Sequence, residues 1–157
     1  MRKKIINTEK QEYGAAIPGG LNLESLAQVE ITSEDEKHPI EAAFTSDENT
    51  QWKAAEPGEQ TIRILFDEPQ KVRKIQLLFR EEDQERMQEF LIRWLPANEK
   101  AYRDLVRQQY NFSPPHTTTE AEEYNVELEA VKALELTIIP ERSGRSAYAS
   151  LAQLQLS

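Results

Sequence analysis

Hydrophobic and polar residues alternate along most of the chain. In residues 61–66, Ile62, Ile64 and Phe66 lie on one side of the alternation and Arg63 on the other. A period of two indicates half-buried β-strands, because successive side chains of a strand point to opposite faces. The same alternation recurs at Ile75, Leu77 and Phe79, at Phe90, Ile92 and Trp94, at Tyr124, Val126 and Leu128, at Leu134, Leu136 and Ile138, and at Leu154 and Leu156.

Breaks in this pattern predict turns and leave two segments ambiguous. Pro69 separates residues 61–66 from residues 72–79, so these two strands are predicted to form a hairpin. Residues 81–88 are rich in helix-forming but charged side chains, which fits two helical turns without an apolar face. Residues 105–112 fit either a helix or an edge strand.

Many short strands spaced about ten residues apart favour an all-β fold, specifically an antiparallel β-sandwich of the jelly-roll type. Residues 1–21 lack periodicity and contain three of the five glycines in the chain. They are therefore predicted to form a flexible N-terminal arm, and residues 22–157 the folded domain. A length of 157 residues suits one domain.

Charge and composition exclude several functions. The chain has 28 acidic and 19 basic residues, a formal net charge of −9, and no cysteine. A net negative field repels phosphate backbones and anionic lipids, so we expect neither nucleic-acid nor membrane binding. Without cysteine there are no disulfides, thiolate metal sites or thiol nucleophiles. The N-terminal residues lack the apolar run of a secretory signal, so a cytoplasmic location is expected.

From Leu26 onward, the ordered features resemble a discoidin, or factor-type C, domain of the galactose-binding-like superfamily. The resemblance starts with the opening strand at 26–29 and with the loop 44–52, which ends in Thr50-Gln51-Trp52. It continues through the strands in residues 60–78, the strand, turn and aromatic in residues 90–102, and the closing pair in residues 133–156.

This resemblance implies a binding module that recognises sugars, phospholipid headgroups or proteins through loops at one end of the sandwich, often beside a structural calcium. Three positions depart from the family pattern. Glu48 stands where glycine is usual, residues 97–100 replace an Asp-Gly turn, and Gln153 replaces a glutamate expected to support calcium. The last departure puts the calcium in doubt.

Strand parity predicts which loops meet at one end of the sandwich. If the chain runs up and down, the long connections at 45–60, 80–88, 111–123 and 140–147 share an end, and function usually lies on such loops. Aromatic rings stack on the C–H faces of sugars, and arginine side chains form bidentate hydrogen bonds to hydroxyl or carboxylate oxygens. The candidate ligand-binding residues at this end are Trp52, Arg80, Tyr110, His116, Arg142 and Arg145. The alternative roles are a lid over the core for Trp52 and a solvated charge for Arg80.

Asp47, Asn49 and Thr50 are the candidate oxygen ligands of a structural calcium, with a plain turn as the alternative. No other cofactor is expected. His38 and His116 each lack a second histidine at ligand spacing, which argues against a catalytic zinc or iron site. No G-x-S-x-G motif or phosphate-binding loop is present. No catalytic residue is therefore predicted.

These observations predict a non-catalytic module that binds a carbohydrate or similar polyol. The alternative is an intracellular protein interaction or assembly module, in which outward-facing Leu65, Leu78, Leu91 and Ile139 form a patch for a protein partner. A hydrolase is the third and least favoured class.

Overall fold

The computed structural model describes residues 2–6, 20–47 and 49–157. In chain order the elements are β1 (Arg2–Ile5), α1 (Leu23–Leu26), β2 (Ala27–Ile31), a 3-10 helix (Ile40–Phe44), β3 (Trp52–Lys53), β4 (Gln60–Arg80), β5 (Arg86–Pro96), β6 (Arg103–Phe112), β7 (Thr119–Ile139), β8 (Ser150–Leu151) and β9 (Gln153–Leu156). The predicted all-β sandwich is confirmed, and the ambiguous segment 105–112 is part of strand β6.

The main sheet has the strand order β1-β2-β4-β7-β5-β6, with β9 paired to β4, while β3 and β8 form a separate two-stranded sheet. All pairs are antiparallel except β1 with β2. Strands β4 and β7 pair from Gln60 opposite Ile138 to Arg80 opposite Thr119, with register shifts between Leu65 and Lys74. The first half of β4 also pairs with β2, and the second half with β9.

The hairpin predicted around Pro69 is therefore wrong. Residues 61–66 and 72–79 belong to one interrupted strand, and both pair with β7 rather than with each other. Phe79, in the second half of β4, stacks on Phe90 of β5 with ring centroids 5.3 Å apart. On β7, Phe79 lies opposite Glu120 and Phe90 opposite Ile138, which are 138 − 120 = 18 positions apart, so the long strands must bend back for the two rings to meet in the core. The local alternation was read correctly, but it contains no information about the pairing partner.

The core contains the alternating residues that the sequence pattern selected. Ile62, Ile64, Phe90, Ile92, Leu134, Leu136, Ile138, Leu154 and Leu156 are each at most 1% exposed. The four residues of the predicted patch for a protein partner, Leu65, Leu78, Leu91 and Ile139, are half-buried rather than fully exposed. Among the described residues, the exposed large hydrophobic side chains are those of Ile6, Met87 and Tyr148. None of the helices in the described ranges is long and apolar enough to cross a membrane.

The predicted arm is wrong for its first residues. Arg2–Ile5 form β1, which pairs in parallel with β2 and buries Lys3 and Ile5. One of the two inward-facing residues of this strand is a lysine, so the sequence shows no alternation of apolar residues here. The hydrophobic pattern therefore did not reveal the strand. Residues 7–19 of the predicted arm lie outside the described residues. The boundary between residues 21 and 22 stays a prediction.

The ambiguous segment 81–88 does not form the two helical turns that its composition would fit. Residues 81–85 form a turn in which Glu81 Oε2 accepts hydrogen bonds from the backbone N–H groups of Asp83 (3.1 Å) and Gln84 (3.2 Å). Such side-chain bonds to nearby backbone compete with helix formation. Arg86, which follows, is 1% exposed and begins β5.

Hydrogen bonds show which loops meet at each end of the sandwich. At one end, Glu81 N donates to Thr118 O (2.8 Å) and Gln84 Nε2 to Ser146 O (3.2 Å). At the other end, Ala97 N donates to Ala130 O (2.9 Å). Gly58 N also donates to Ala147 O (3.0 Å), so the predicted grouping of the 45–60, 80–88, 111–123 and 140–147 connections is confirmed. The first of these ends is called the loop end below.

Candidate functional site

A cavity of about 260 Å³ opens at the loop end. It is bounded by the segment before β3, by the end of β4 with the turn that follows it, and by the segment leading into β8. The lining residues are Gln51, Lys53, Arg80, Glu81, Glu82, Asp83, Gln84, Tyr148 and Ser150. The cavity therefore combines one aromatic ring with amide, hydroxyl and charged groups of both signs.

Tyr148 is the exposed aromatic residue of this cavity, with 52% of its surface accessible. The flanking residues, Ala147 and Ala149, are buried. Their carbonyl oxygens accept hydrogen bonds from Gly58 N (3.0 Å) and Ala54 N (2.9 Å), respectively. The backbone on both sides of Tyr148 is thus anchored, and an exposed ring on anchored backbone is suited to stacking against a ligand.

The turn at residues 81–85 is held by Glu81. Burial raises the pKa of Glu81, but hydrogen bonds from Arg86 and from the backbone of Asp83 outweigh this effect and lower the pKa below its ordinary value. Arg86 Nε lies 2.7 Å from Glu81 Oε1, and Arg86 Nη1 donates to Pro140 O at 2.9 Å. Buried Arg86 therefore connects the turn to the 140–147 loop, and the Glu81 carboxylate is occupied by contacts within the protein.

Other polar groups of the cavity remain available. In the described part of the chain, the side chains of Lys53, Glu82 and Asp83 make no ion pair. Gln51 Oε1 is a buried acceptor that receives no hydrogen bond from the described residues. Unsatisfied polar groups beside a cavity are candidates for ligand contacts, because burial without a partner is costly.

Of the predicted ligand residues, Arg80 lines this cavity and the other five do not. Trp52 is 0% exposed, and its Nε1 donates to Ser33 O at 3.0 Å. It is therefore a core residue rather than a sugar platform. Tyr110 packs edge-on against Phe112 with ring centroids 5.0 Å apart, and its hydroxyl donates to Thr119 O.

The remaining predicted ligand residues also lie away from the cavity. His116 is exposed in the loop between β6 and β7. Arg142 Nε lies 3.6 Å from Glu89 Oε1, on the outer side of β5. Arg145 Nη2 lies 2.8 Å from Glu141 Oε2 and also donates to Glu85 O. Its side chain therefore connects the 140–147 loop to the 80–88 loop. Loop parity brought these residues to the correct end, but side-chain direction was not predictable from it.

The principal residue that the sequence interpretation missed is Tyr148. It lies in the irregular segment before β8, which begins at Ser150. A single aromatic residue in an irregular segment has no periodicity. Its only sequence signal was an aromatic between two alanines close to a predicted loop.

The candidate calcium ligands form a compact turn instead. Asp47 Oδ1 accepts a hydrogen bond from Asn49 N (2.8 Å), and Thr50 Oγ1 donates to Ala42 O (3.0 Å). Among the described residues, no group of three or more histidine, aspartate or glutamate side chains is placed to hold a metal ion. The described side chains make the contacts of a plain turn, and calcium binding by Asp47, Asn49 and Thr50 stays a prediction.

The fold and the cavity together define a β-sandwich module with a cavity of about 260 Å³ among the loops at one end. The chain belongs to the F5/8 type C domain family, which it matches over residues 28–154. The resemblance inferred from the sequence is thus confirmed. No curated protein sequence matches the chain.

Solved structures share this fold at low sequence identity. One is the family 32 carbohydrate-binding module of C. perfringens NanJ, in complex with galactose, with a TM-score of 0.62, 16% identity, and coverage of 83% of this chain and 92% of that one. The CBM32 of AlyQ, in complex with 4,5-unsaturated mannuronic acid, has a TM-score of 0.61, 13% identity, and coverage of 85% and 95%. Chitosan-binding module 1 of a chitosanase/glucanase from Paenibacillus sp. IK-5 has a TM-score of 0.56, 15% identity, and coverage of 87% and 98%.

Proposed function

We propose that this chain is a non-catalytic carbohydrate-binding module and that its sugar lies in the loop-end cavity against the ring of Tyr148. The observation that carries the proposal is the 52% exposed tyrosine beside a cavity lined with amide and charged side chains. An exposed aromatic ring beside hydrogen-bonding groups combines the apolar face and the polar partners that a sugar needs.

The chemistry of the cavity suits a sugar. One face of a pyranose ring carries C–H groups that stack on an aromatic ring, while its edge carries hydroxyls that need hydrogen-bond partners. Tyr148 supplies the ring, and Gln51 and Gln84 supply amides. The cavity of about 260 Å³ lies just below the roughly 300–1,000 Å³ of drug-sized sites, which favours one sugar unit over a long segment.

The structural neighbours support the same class of ligand. The three proteins are solved with galactose, solved with 4,5-unsaturated mannuronic acid, and known as a chitosan-binding module; these sugars are respectively neutral, anionic and cationic. In this chain Lys53 and Arg80 are balanced by Glu82 and Asp83. A neutral sugar is therefore the form that we propose, because neither charge sign predominates in the cavity.

The proposal is tested by calorimetric titration of the full chain with galactose, N-acetylgalactosamine, glucosamine oligomers and uronic acids. We expect binding of a neutral sugar, an affinity loss of at least about tenfold in Tyr148→Ala, corresponding to about 1.4 kcal/mol, and near-normal affinity in Tyr148→Phe. Met87→Ala is the matched control, because Met87 is also exposed but does not line the cavity. Failure of every sugar to bind, or equal affinity in Tyr148→Ala, would refute the proposal.

A further inference from the structure

We infer that the side-chain amide of Gln153 holds the 45–50 turn in place, in the role that the family resemblance assigns to a structural calcium. Gln153 lies on β9, directly opposite Leu78 of β4. Its Nε2 donates a hydrogen bond to the carbonyl oxygen of Thr45 at 3.0 Å, across 108 positions of the chain. This contact fastens the turn to the last strand of the sandwich.

Several other polar atoms of residues 45–47 and 49–50 are also hydrogen-bonded within the protein. The Thr50 hydroxyl lies 3.0 Å from Ala42 O and 3.1 Å from Asp47 O. The Asp47 carboxylate accepts the backbone N–H of Asn49 at 2.8 Å. The backbone N–H of Asp47 in turn donates to the Thr45 hydroxyl at 3.3 Å. The carbonyl oxygens of Thr45 and Asp47 and one carboxylate oxygen of Asp47 thus already accept hydrogen bonds from the protein.

Donor chemistry explains why this arrangement disfavours a cation. Calcium takes six to eight oxygen ligands at about 2.3–2.6 Å. The NH2 group of a glutamine is a donor without an acceptor lone pair, so it cannot be a ligand. With the amide reversed, Gln153 Oε1 would face Thr45 O, and the two acceptors would repel each other unless a cation lay between them. Without a cation, the orientation that satisfies Thr45 O is the one that presents the hydrogen atoms of the amide, as the 3.0 Å contact does.

A glutamate at this position would behave differently. Its carboxylate would face the carbonyl of Thr45 without a proton between them and would need a cation to bridge them. Gln153 replaces both the carboxylate and the cation with one neutral group. The turn then keeps its place before Gln51, which lines the loop-end cavity, without an added ion.

The test is thermal unfolding of the full chain, first in a chelator and then in about 10 mM calcium, well above the Kd of roughly 10⁻³ M for weak sites. For the wild type we expect the same Tm in both. Gln153→Met removes the donor and should lower the Tm by about 2–4 °C, since one net hydrogen bond is lost, again with no response to calcium. Gln153→Glu should lower the Tm in chelator and regain much of the loss in calcium.

Gln155→Glu is the matched control, because Gln155 lies two residues further on the same strand and opposite Gln76. Its Tm should show no dependence on calcium. The inference is overturned by a wild-type Tm that rises with calcium and loses this rise in Asp47→Asn, or by a Gln153→Met variant as stable as the wild type. No sugar is used, so this result is independent of the test of carbohydrate binding.

Discussion

The ammonium group of Lys3 on β1 lies 2.9 Å from Oε1 of Glu34 inside the protein. It also contacts the carboxylate of Glu41, on the 3-10 helix. The three side chains are at most 6% exposed. Glu41 Oε2 has no hydrogen-bond partner in the described residues, so Glu41 depends on Lys3 for its neutralisation. The strand β1 therefore extends the sheet beside β2 and also supplies the positive charge that neutralises two buried carboxylates.

Lys3→Met should destabilise the protein strongly, because it leaves two carboxylates buried without a cation. We expect the free energy of unfolding, measured by urea denaturation at neutral pH, to fall by about 3–5 kcal/mol. Lys4→Met is the control, because Lys4 is exposed on the same strand, and its effect should stay within about 0.5 kcal/mol. Equal losses in the two variants would contradict the role assigned to Lys3.

Stability should also depend on the protonation of Glu120. Burial, together with a hydrogen bond to Glu122 and its charge, raises the pKa of Glu120 to about 8. A carboxyl whose pKa is higher in the folded state stabilises the fold below its unfolded pKa, and this stabilisation is lost as the pH rises towards 8. We therefore expect Glu120 to reduce the free energy of unfolding between pH 5 and 8 by at least about 1 kcal/mol.

Glu120→Gln removes this titration and keeps an amide that can meet Gln88, whose Nε2 lies 3.2 Å from Glu120 Oε1. The variant should gain stability relative to the wild type as the pH rises from 5 to 9 in urea denaturation. Glu127→Gln, an exposed site on the same strand, is the control. A constant difference between Glu120→Gln and wild type across that range would show that Glu120 does not titrate there.

The sequence predicted well which side chains are buried, but it predicted poorly which strands pair and which charged residues meet. The alternation at Ile62, Ile64 and Phe66 indicates which side chains face the core, because every second side chain of a strand points to the same face of the sheet. Pairing is set by distant residues, so the pattern around Pro69 was read as a hairpin although both halves pair with β7. Lys3 was missed because a buried lysine is stable only with Glu34 and Glu41 beside it, which no local window shows.

The candidate site was predictable only to the level of the loops. Strand parity placed the 80–88 and 140–147 loops together, as the hydrogen bond from Gln84 to Ser146 bears out. Which side chains face the cavity depends on contacts made after the loops meet. Arg145 faces Glu141, whereas Tyr148 faces outward because Ala147 and Ala149 occupy the buried positions on either side.

Trp52 offers a further test that separates the core from the site. Trp52→Phe removes the hydrogen bond to Ser33 O and part of a fully buried ring. We expect a loss of about 1–3 kcal/mol in the free energy of unfolding. Calorimetry should show unchanged sugar affinity for the folded protein, in contrast to Tyr148→Ala. A selective loss of affinity without destabilisation would return Trp52 to the binding site.

Arg86 is the residue whose loss should loosen the loop end most directly. Its side chain is 0% exposed and bonds to Glu81, Gln88 and Pro140 O, so it reaches two loops from one strand. Its guanidinium also stands over the Phe112 ring, 4.8 Å from the centroid. Arg86→Met would leave Glu81 without its cation, and we expect a loss of about 2–4 kcal/mol in urea denaturation.

Hydrogen exchange gives the local measurement for this variant. The backbone N–H groups of Asp83 and Gln84 bond to Glu81, so their exchange should accelerate in Arg86→Met more than that of the central strands. Arg103→Met is the control, because Arg103 is exposed and pairs with Glu99. Uniform acceleration throughout the protein would indicate global destabilisation only. Since the charge of Arg86 lowers the pKa of Glu120, the pH dependence assigned to Glu120 should also move to higher pH in Arg86→Met.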